Sequence, residues 1–355
     1  MSPFRRLVFA VAALAVSMAV LVPWLGFDYR LAPHKSALND YRKARVPDMI
    51  YGRAHRPFVQ RTLVPSTLRL VRRALPRPVL AALRRTVSGP PLFLPRKLGA
   101  LGWEPAYMVE YAIAMPALFG LLAAFPFALR WLMAGLYATP WAPTVAPLLA
   151  TALLPALFFD RGTHYLYDFS TLLLFTLALG SLQRRRLGAY YAVFALGCLN
   201  KETMILGTLV FAVVEKDLMP RSRLWRHVAT QILIFAAVEW ALGRTFAHNP
   251  GGGVEWHLVK NLRSIRMPPS VASLTLLASG AVLTLARFGR KPAFLRRSAI
   301  VVMLPLLVSY LFLGIYGEIR VFYEAYPILF LLAFQNGSEA LGFPLLERSA
   351  VSATA

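Results

Sequence analysis

Apolar residues in this 355-residue chain are gathered into long runs, and the polar residues collect between the runs rather than alternating with them. A run of about 20 apolar residues forms a helix long enough to cross the ~30 Å hydrocarbon core of a bilayer. The pattern therefore predicts an all-α polytopic bundle with about ten membrane-embedded helices. The apolar runs lie at about residues 7–27, 106–129, 138–159, 167–182, 187–214, 228–242, 271–286, 300–315 and 321–334.

The run at residues 187–214 carries two adjacent charges, Lys201 and Glu202, at its centre. A charge at bilayer depth costs about 2.5–3.5 kcal/mol on insertion scales, so one that is retained usually has a purpose. The run is either one long helix or two short helices that meet at the charges. Both of its flanks are basic, with Arg184, Arg185 and Arg186 before it and Lys216, Arg221, Arg223 and Arg226 after it. Because short basic loops stay in the cytoplasm, both ends face the same side, which favours a short helix hairpin over residues 187–214.

A cytoplasmic N-terminus places the basic segments around residue 130 and residues 287–297 on the cytoplasmic face as well. Residues 28–106 then form a long external loop and residues 337–355 a cytoplasmic tail of a single membrane-embedded domain, 1–355. The external loop is itself basic, but the charge rule applies to loops shorter than about 60 residues. The first run ends in Trp24 and Phe27 rather than in a small-residue cleavage site, so we expect an uncleaved span.

Two stretches of the external loop have helical amphipathic spacing. Leu68, Val71 and Leu75 form one apolar stripe and Val79, Leu80 and Leu83 a second, and arginines occupy the positions between them. Such segments are typical of helices that lie on a membrane surface and contact anionic lipids.

Composition changes this picture in two respects. The net charge of +23 resembles the basic footprint of a nucleic-acid-binding protein. In a chain that is 57% hydrophobic, however, Lys and Arg serve cytoplasmic loops and lipid headgroups, so we expect no nucleic-acid partner. Cys198 is the single cysteine, which excludes an intramolecular disulfide and a cysteine metal cluster.

Under this topology the remaining ionisable residues converge on the external face. They are Asp28, Asp160, Arg161, His164, Asp168, Lys201, Glu202, Glu318, Arg320 and Glu324. Structural roles stay open for several of them: Asp168 has the position of a helix cap, and Arg320 and Glu324 have the spacing of a helix salt bridge. Lys201 and Glu202 point about 100° apart on a helix, so we expect their partners elsewhere.

As a set, these residues have a defined chemistry. Acidic groups supply a general base or a metal ligand, and a divalent cation therefore stays open. Lys and Arg clamp a phosphate or pyrophosphate leaving group, and Arg56 and Arg61 in the external loop are further candidates for this role. The combination predicts a group transferase that acts on a lipid-linked donor.

The chain resembles the integral-membrane glycosyltransferases of the GT-C superfamily, and in particular their small bacterial members. The resemblance rests on an acidic residue just past the first span, the large external loop with surface helices, "YDFSTLLLF", the hairpin closed by "NKET", and the late "GEIRVFYEAYP". It implies a polyprenyl-phosphate-linked sugar donor, a lipid or glycan acceptor, and chemistry on the non-cytoplasmic face of a bacterial inner membrane.

The resemblance also implies residue roles. Asp28 corresponds to the general base, with Asp40 and Asp48 as substitutes, while Lys201 and Arg320 contact the donor phosphate. The substrate-orienting positions are Glu202, Asp168, Glu318 and His164. The first loop lacks the adjacent acidic pair that many members carry, and no soluble C-terminal domain follows the last run.

A carrier or flippase for an anionic lipid-linked glycan precursor is the alternative. Broken helices with ionisable residues at the midplane are typical of many transporters. The absence of an evident inverted repeat and the large one-sided loop count against it.

Overall fold

The computed structural model describes residues 2–25, 41–88, 104–158, 164–264, 271–315 and 318–348. Within these ranges the chain is all-α, as the sequence predicts, with 14 α-helices joined by short 3-10 turns. The helices are α1 (Pro3–Trp24), α2 (Val46–Ile50), α3 (Leu63–Ala74), α4 (Arg77–Ser88), α5 (Met108–Leu136), α6 (Ala142–Phe158), α7 (Asp168–Gln183), α8 (Leu187–Asn200), α9 (Leu206–Glu215), α10 (Arg221–Thr245), α11 (Leu258–Ser264), α12 (Val271–Leu285), α13 (Ala293–Leu313) and α14 (Tyr326–Ala340).

Three helices in the described part of the chain are long and apolar enough to cross a membrane: Pro3–Trp24, Pro105–Leu136 and Ala293–Leu313. This is what a multi-pass membrane protein needs, but it is not the ten spans expected from the apolar runs. The difference is one of length, because several apolar runs form helices of only 10–17 residues. At 1.5 Å per residue, a helix of about 16 residues reaches about 24 Å, less than the hydrocarbon thickness.

Helix α7 lies at the centre of the bundle. It is buried on nearly every face, which suits its uniformly apolar sequence. It packs along α5 on one side and α8 on another, and also contacts α9 and α14. Gly180 allows the close approach to α5, since a Cβ there would lie 2.5 Å from the Trp131 ring. This central helix positions Asp168 at its N-terminal end.

Residues 187–215 form a hairpin of two antiparallel helices, α8 and α9. Tyr190 near the start of α8 stacks on Phe211 near the end of α9, with ring centroids 5.7 Å apart. Nearer the tip, Gly197 lies directly against Met204. The helix breaks at Lys201, whose backbone is extended, and resumes as a 3-10 turn at Glu202.

The two ends of the hairpin lie side by side at the basic end of the bundle. Arg185, which follows α7, approaches the buried carboxylate of Glu215 at the end of α9, with 3.4 Å between Nη2 and Oε2. Arg297 on α13 pairs with Asp217 at 2.7 Å. The basic flanks of the hairpin are therefore on one side of the molecule, and the Lys201–Glu202 tip is at the other end of its arms.

The first loop contains the two amphipathic helices α3 and α4 close to their predicted positions. The apolar stripe of α3 is divided, however, because Leu68 is buried in the bundle while Val71 and the neighbouring Leu70 are exposed. One face of α3 thus packs on protein, against α5 and α8. At the other end of the chain, residues 337–340 complete α14, and the backbone N–H of Arg348 donates to the Leu136 carbonyl at 2.9 Å.

We expect Gly180→Ala to destabilise the protein by about 1–3 kcal/mol, because the added methyl group overlaps a rigid indole ring. Thermal or denaturant unfolding of the detergent-solubilised protein measures the change. Gly120→Ala on α5 is the matched control, since nothing lies within 4 Å of its added Cβ. That substitution should be neutral or stabilising by up to about 1 kcal/mol. Equal effects of the two substitutions would contradict this view of the α5–α7 contact.

Candidate functional site

The tip of the hairpin meets the first loop and the segment before α14. As the sequence predicts, Lys201 and Glu202 do not pair with each other. Lys201 forms an ion pair with Glu324, and Glu202 with Arg61. Two charges that are adjacent in the chain are thus neutralised by residues more than 100 positions away.

Arg61 is held from several directions. The backbone N–H of the next residue, Thr62, donates to the Leu199 carbonyl at 2.9 Å, which ties the first loop to the end of α8. The guanidinium makes a two-point contact with Glu202, with Nη2–Oε1 and Nε–Oε2 distances of 2.5 and 3.1 Å. It also donates to the Tyr167 hydroxyl and lies 4.5 Å from the centroid of that ring. Arg61 is therefore buried and fully engaged.

The charge state of Glu202 follows from this contact. The Arg61 guanidinium, which contacts the carboxyl group at two points, favours its ionised form. The Glu202 side chain is nevertheless 44% exposed, so it faces accessible space while Arg61 behind it does not.

Lys201 and Glu324 form the second ion pair, with 2.8 Å between Nζ and Oε1. The Thr203 hydroxyl also donates to Glu324. Glu324 is 1% exposed, and its second oxygen, Oε2, accepts no hydrogen bond from the described residues. A small cavity beside it is lined partly by Asn200 and Thr171. This pair joins the hairpin tip to the segment that leads into α14.

Arg320 and two carboxylates form a third ion-pair cluster beside the two pairs at the hairpin tip. Its guanidinium contacts Glu318 through Nε and Nη2 at 2.8 and 2.5 Å, and Asp168 at 3.4 Å. It also lies 3.9 Å from the centroid of the Tyr165 ring. Asp168 accepts a hydrogen bond from the backbone N–H of Tyr165 at 2.9 Å. Arg320 and Glu324 do not form the helix salt bridge that their spacing allowed, since the chain there is a 3-10 turn rather than an α-helix.

A cavity of about 60 Å³ opens at the hairpin tip. It is several times the 10–15 Å³ that one water molecule needs. Its lining residues are Pro57, Gln60, Arg61, Cys198, Lys201, Glu202, Glu239 and Gly253. Three predicted site residues, Arg61, Lys201 and Glu202, therefore share one cavity, while Asp168, Glu318 and Arg320 form the adjoining cluster.

Sequence reasoning missed two polar residues of this region. Glu239 on α10 lines the cavity, although the sequence pattern indicates only an apolar run there. Asn200 is buried, accepts from the Ser170 hydroxyl and donates to the Thr171 hydroxyl at 2.9 Å. The signal that could have found them is the one that identified Lys201, namely a polar residue inside an apolar run.

Other predicted residues lie apart from the cavity lining. Asp48 pairs with Arg53 at 3.4 Å, and Arg56 donates its backbone N–H to Pro250 at 2.8 Å. His164 is buried against Trp24, with Nδ1 2.6 Å from the Trp24 carbonyl oxygen. The remaining candidates, Asp28, Asp40, Asp160 and Arg161, lie outside the described residues.

The described residues bring together no group of three or more His, Cys, Asp or Glu side chains that could hold a metal ion. Three cations, Arg61, Lys201 and Arg320, are instead matched by four carboxylates, those of Asp168, Glu202, Glu318 and Glu324. An anionic ligand must therefore compete with a carboxylate for its cation.

Searches of known protein families, curated proteins and solved structures find no match to this chain.

We expect Lys201→Met to destabilise the protein by about 3–5 kcal/mol, because it leaves the buried Glu324 carboxylate without its cation. Adding Glu324→Gln should restore much of that loss, since the amide is neutral and its oxygen still accepts from Thr203. Unfolding of the single and double variants in detergent measures the coupling. In the exposed pair at the basic end, Arg297→Met should cost no more than about 1 kcal/mol. A double variant as unstable as Lys201→Met would contradict this account.

The pH dependence of stability should report His164. Burial lowers the pKa of the His164 imidazole to about 4, below its usual value of about 6.5. As the pH falls from about 6.5 to about 4, the unfolded chain takes up this proton and the folded protein does not, so stability declines by about 3 kcal/mol in total. Above pH 6.5 this contribution is complete.

Unfolding measured across this pH range in wild type and in His164→Gln tests the assignment. The substitution should remove the His164 component of the slope. An identical slope in wild type and His164→Gln would show that other groups cause the pH dependence.

Proposed function

We propose that this protein is a membrane glycosyltransferase of the GT-C type, which transfers a sugar from a polyprenyl-phosphate-linked donor to a lipid or glycan acceptor. The single observation that carries the proposal is the cavity at the hairpin tip, where Arg61, Lys201 and Glu202 meet. Guanidinium and ammonium groups in a confined site stabilise the negative charge that develops on a phosphate leaving group.

The contact between Arg61 and Glu202 indicates how a phosphate binds. The guanidinium presents two N–H groups to the two oxygens of one carboxylate, and two phosphate oxygens fit the same arrangement. Glu202 is the more exposed partner, so it can move aside while Arg61 stays in place against Tyr167. In this mechanism the phosphate replaces Glu202 as the partner of Arg61. The Glu202 carboxylate then accepts a hydrogen bond from a sugar hydroxyl.

The surroundings of the cavity suit a donor with a hydrocarbon tail. Leu196 on α8 and Leu209 on α9 are exposed on the hairpin, and Trp240 on α10 follows the cavity residue Glu239. A polyprenyl chain can lie along these apolar surfaces while its phosphate enters the polar cavity. This combination favours a lipid-linked donor over a soluble sugar nucleotide.

The membrane arrangement belongs to the same proposal. The three long apolar helices and the shorter ones cross or enter a bacterial inner membrane, with the N-terminus in the cytoplasm and the hairpin tip on the other face. Exposed arginines of α3 and α4, including Arg73, Arg84 and Arg85, contact anionic lipid headgroups. Arg320 supports the leaving group through the adjoining cluster, and the bases predicted in the first loop, Asp28 and Asp40, stay predictions.

Transfer from a radiolabelled polyprenyl-phosphate sugar in proteoliposomes tests the function. We expect Lys201→Ala and Arg61→Ala each to lower the transfer rate by about 100-fold or more, because each removes one charged group from the developing phosphate charge. Arg297→Ala, which removes a basic residue at the opposite end of the hairpin, should transfer at the wild-type rate. Undiminished transfer by the Lys201 and Arg61 variants would exclude this site.

The carrier alternative has one observation in its favour, the interrupted helix with charged residues at its break. Vectorial uptake of the intact labelled donor into sealed vesicles, without transfer of its sugar, would identify a carrier. Labelling of a cysteine at position 202 in a Cys198→Ala background gives the sidedness. Access from the cytoplasm alone would place the hairpin tip on the wrong face for the proposed reaction.

A further inference from the structure

The cavity at the hairpin tip contains a carboxyl group that no ion pair in the described structure uses. Glu239 lies in the last third of α10 and lines the cavity together with Arg61, Lys201 and Glu202. Its position is set by the fold, because α10 packs on α8 and on the 3-10 turn at the hairpin tip. Glu239 therefore reaches the cavity from a different element of the fold than Lys201 does.

The other carboxylates of this region are already engaged. Glu202 is bound at two points to Arg61, and Glu324 is paired with Lys201. Asp168 and Glu318 both contact Arg320. A carboxylate held by a cation is a weak proton acceptor, because the neighbouring positive charge favours its ionised form. Among the acidic residues that line the described cavity, Glu239 alone has no Lys or Arg partner.

We propose that Glu239 is the group that accepts the proton of the acceptor hydroxyl in the transfer reaction. This inference rests on the proposed function and deepens it. The oxygen of the acceptor forms a bond to the anomeric carbon as the bond between that carbon and the phosphate oxygen breaks. The bonding electron pair leaves with the phosphate, whose charge Arg61 and Lys201 offset, and the proton passes from the acceptor oxygen to the Glu239 carboxylate.

The cavity geometry separates the two roles. Arg61 and Lys201 belong to the first loop and the hairpin, whereas Glu239 belongs to α10. A group that enters the cavity therefore meets cations and the Glu239 carboxylate that belong to different elements of the fold, and leaving-group stabilisation and proton removal each have their own residues. The role of Glu239 thus concerns the acceptor and not the affinity for the donor.

The test compares Glu239→Gln, Glu239→Asp and wild type in proteoliposomes with the radiolabelled polyprenyl-phosphate sugar. We expect Glu239→Gln to lower the transfer rate by about 10²–10⁴-fold, the usual contribution of a general base. Binding of the labelled donor should stay within about twofold of wild type. The wild-type transfer rate should fall at low pH, because a protonated carboxyl group cannot accept the proton. Glu239→Asp retains the carboxylate, so it should recover part of the rate and show the same fall at low pH. That fall should be absent from the residual activity of Glu239→Gln.

Glu339→Gln on α14 is the matched control, because its pairing with the exposed Arg287 places it away from the cavity. Its transfer rate should equal that of wild type. Full activity of Glu239→Gln together with loss in Lys201→Ala would overturn this inference and leave the proposed function standing. Loss in Asp28→Asn with normal Glu239→Gln would assign the base to the first loop instead.

A parallel loss of donor binding and transfer in both Glu239 variants would show a structural role, and would also overturn the inference. The absence of transfer by wild type with every polyprenyl-phosphate sugar tried, alongside measurable binding of donor, would remove the proposed function itself. The outcomes for the residue and for the function are therefore distinct.

Discussion

The neutralisation of two adjacent charges at the hairpin tip is the constraint on which this structure depends. Lys201 and Glu202 lie at the break between two short apolar helices, where neither charge is tolerated without compensation. Their side chains diverge, so one partner comes from the first loop and the other from the segment before α14. The two ion pairs consequently tie three distant parts of the chain to one point.

This constraint explains why so many polar groups lie beside the central helix. α7 carries Ser170 and Thr171 on its first turn, and both bond to Asn200 at the end of α8. Asp168 at the start of the same helix meets Arg320. Polar groups in a low-dielectric interior are costly unless each finds a partner, and together they form a connected network. The N-terminal end of α7 thus supports the hairpin tip through these hydrogen bonds.

The sequence predicted the parts of the structure that depend on local rules. The helices of the first loop begin and end near their predicted residues because amphipathic spacing is a local property. Separate partners for Lys201 and Glu202 were also predicted, although from the geometry of an α-helix that the structure interrupts at these two residues. The number of spans was overestimated, since several apolar runs form helices of only 10–17 residues, which are too short to cross the hydrocarbon core.

Tertiary partners were not predictable in the same way. The spacing of Arg320 and Glu324 suggested a helical pair, but the choice between that pair and Asp168 or Lys201 depends on packing between distant segments. Glu239 escaped notice because a single acidic residue hardly changes the mean hydropathy of its run. Its significance appears only when α10 is placed beside the hairpin tip.

The stacked rings of Tyr165 and Tyr167 have a consequence for the two arginines beside them. The ring centroids are 5.3 Å apart, with Arg61 over Tyr167 and Arg320 over Tyr165. Each of the two like charges therefore has one ring of the stacked pair as a close neighbour. Each guanidinium keeps an attractive ring face as a neighbour whether or not its carboxylate stays in place. The position of each guanidinium therefore depends on the stacked rings as well as on its carboxylate partners.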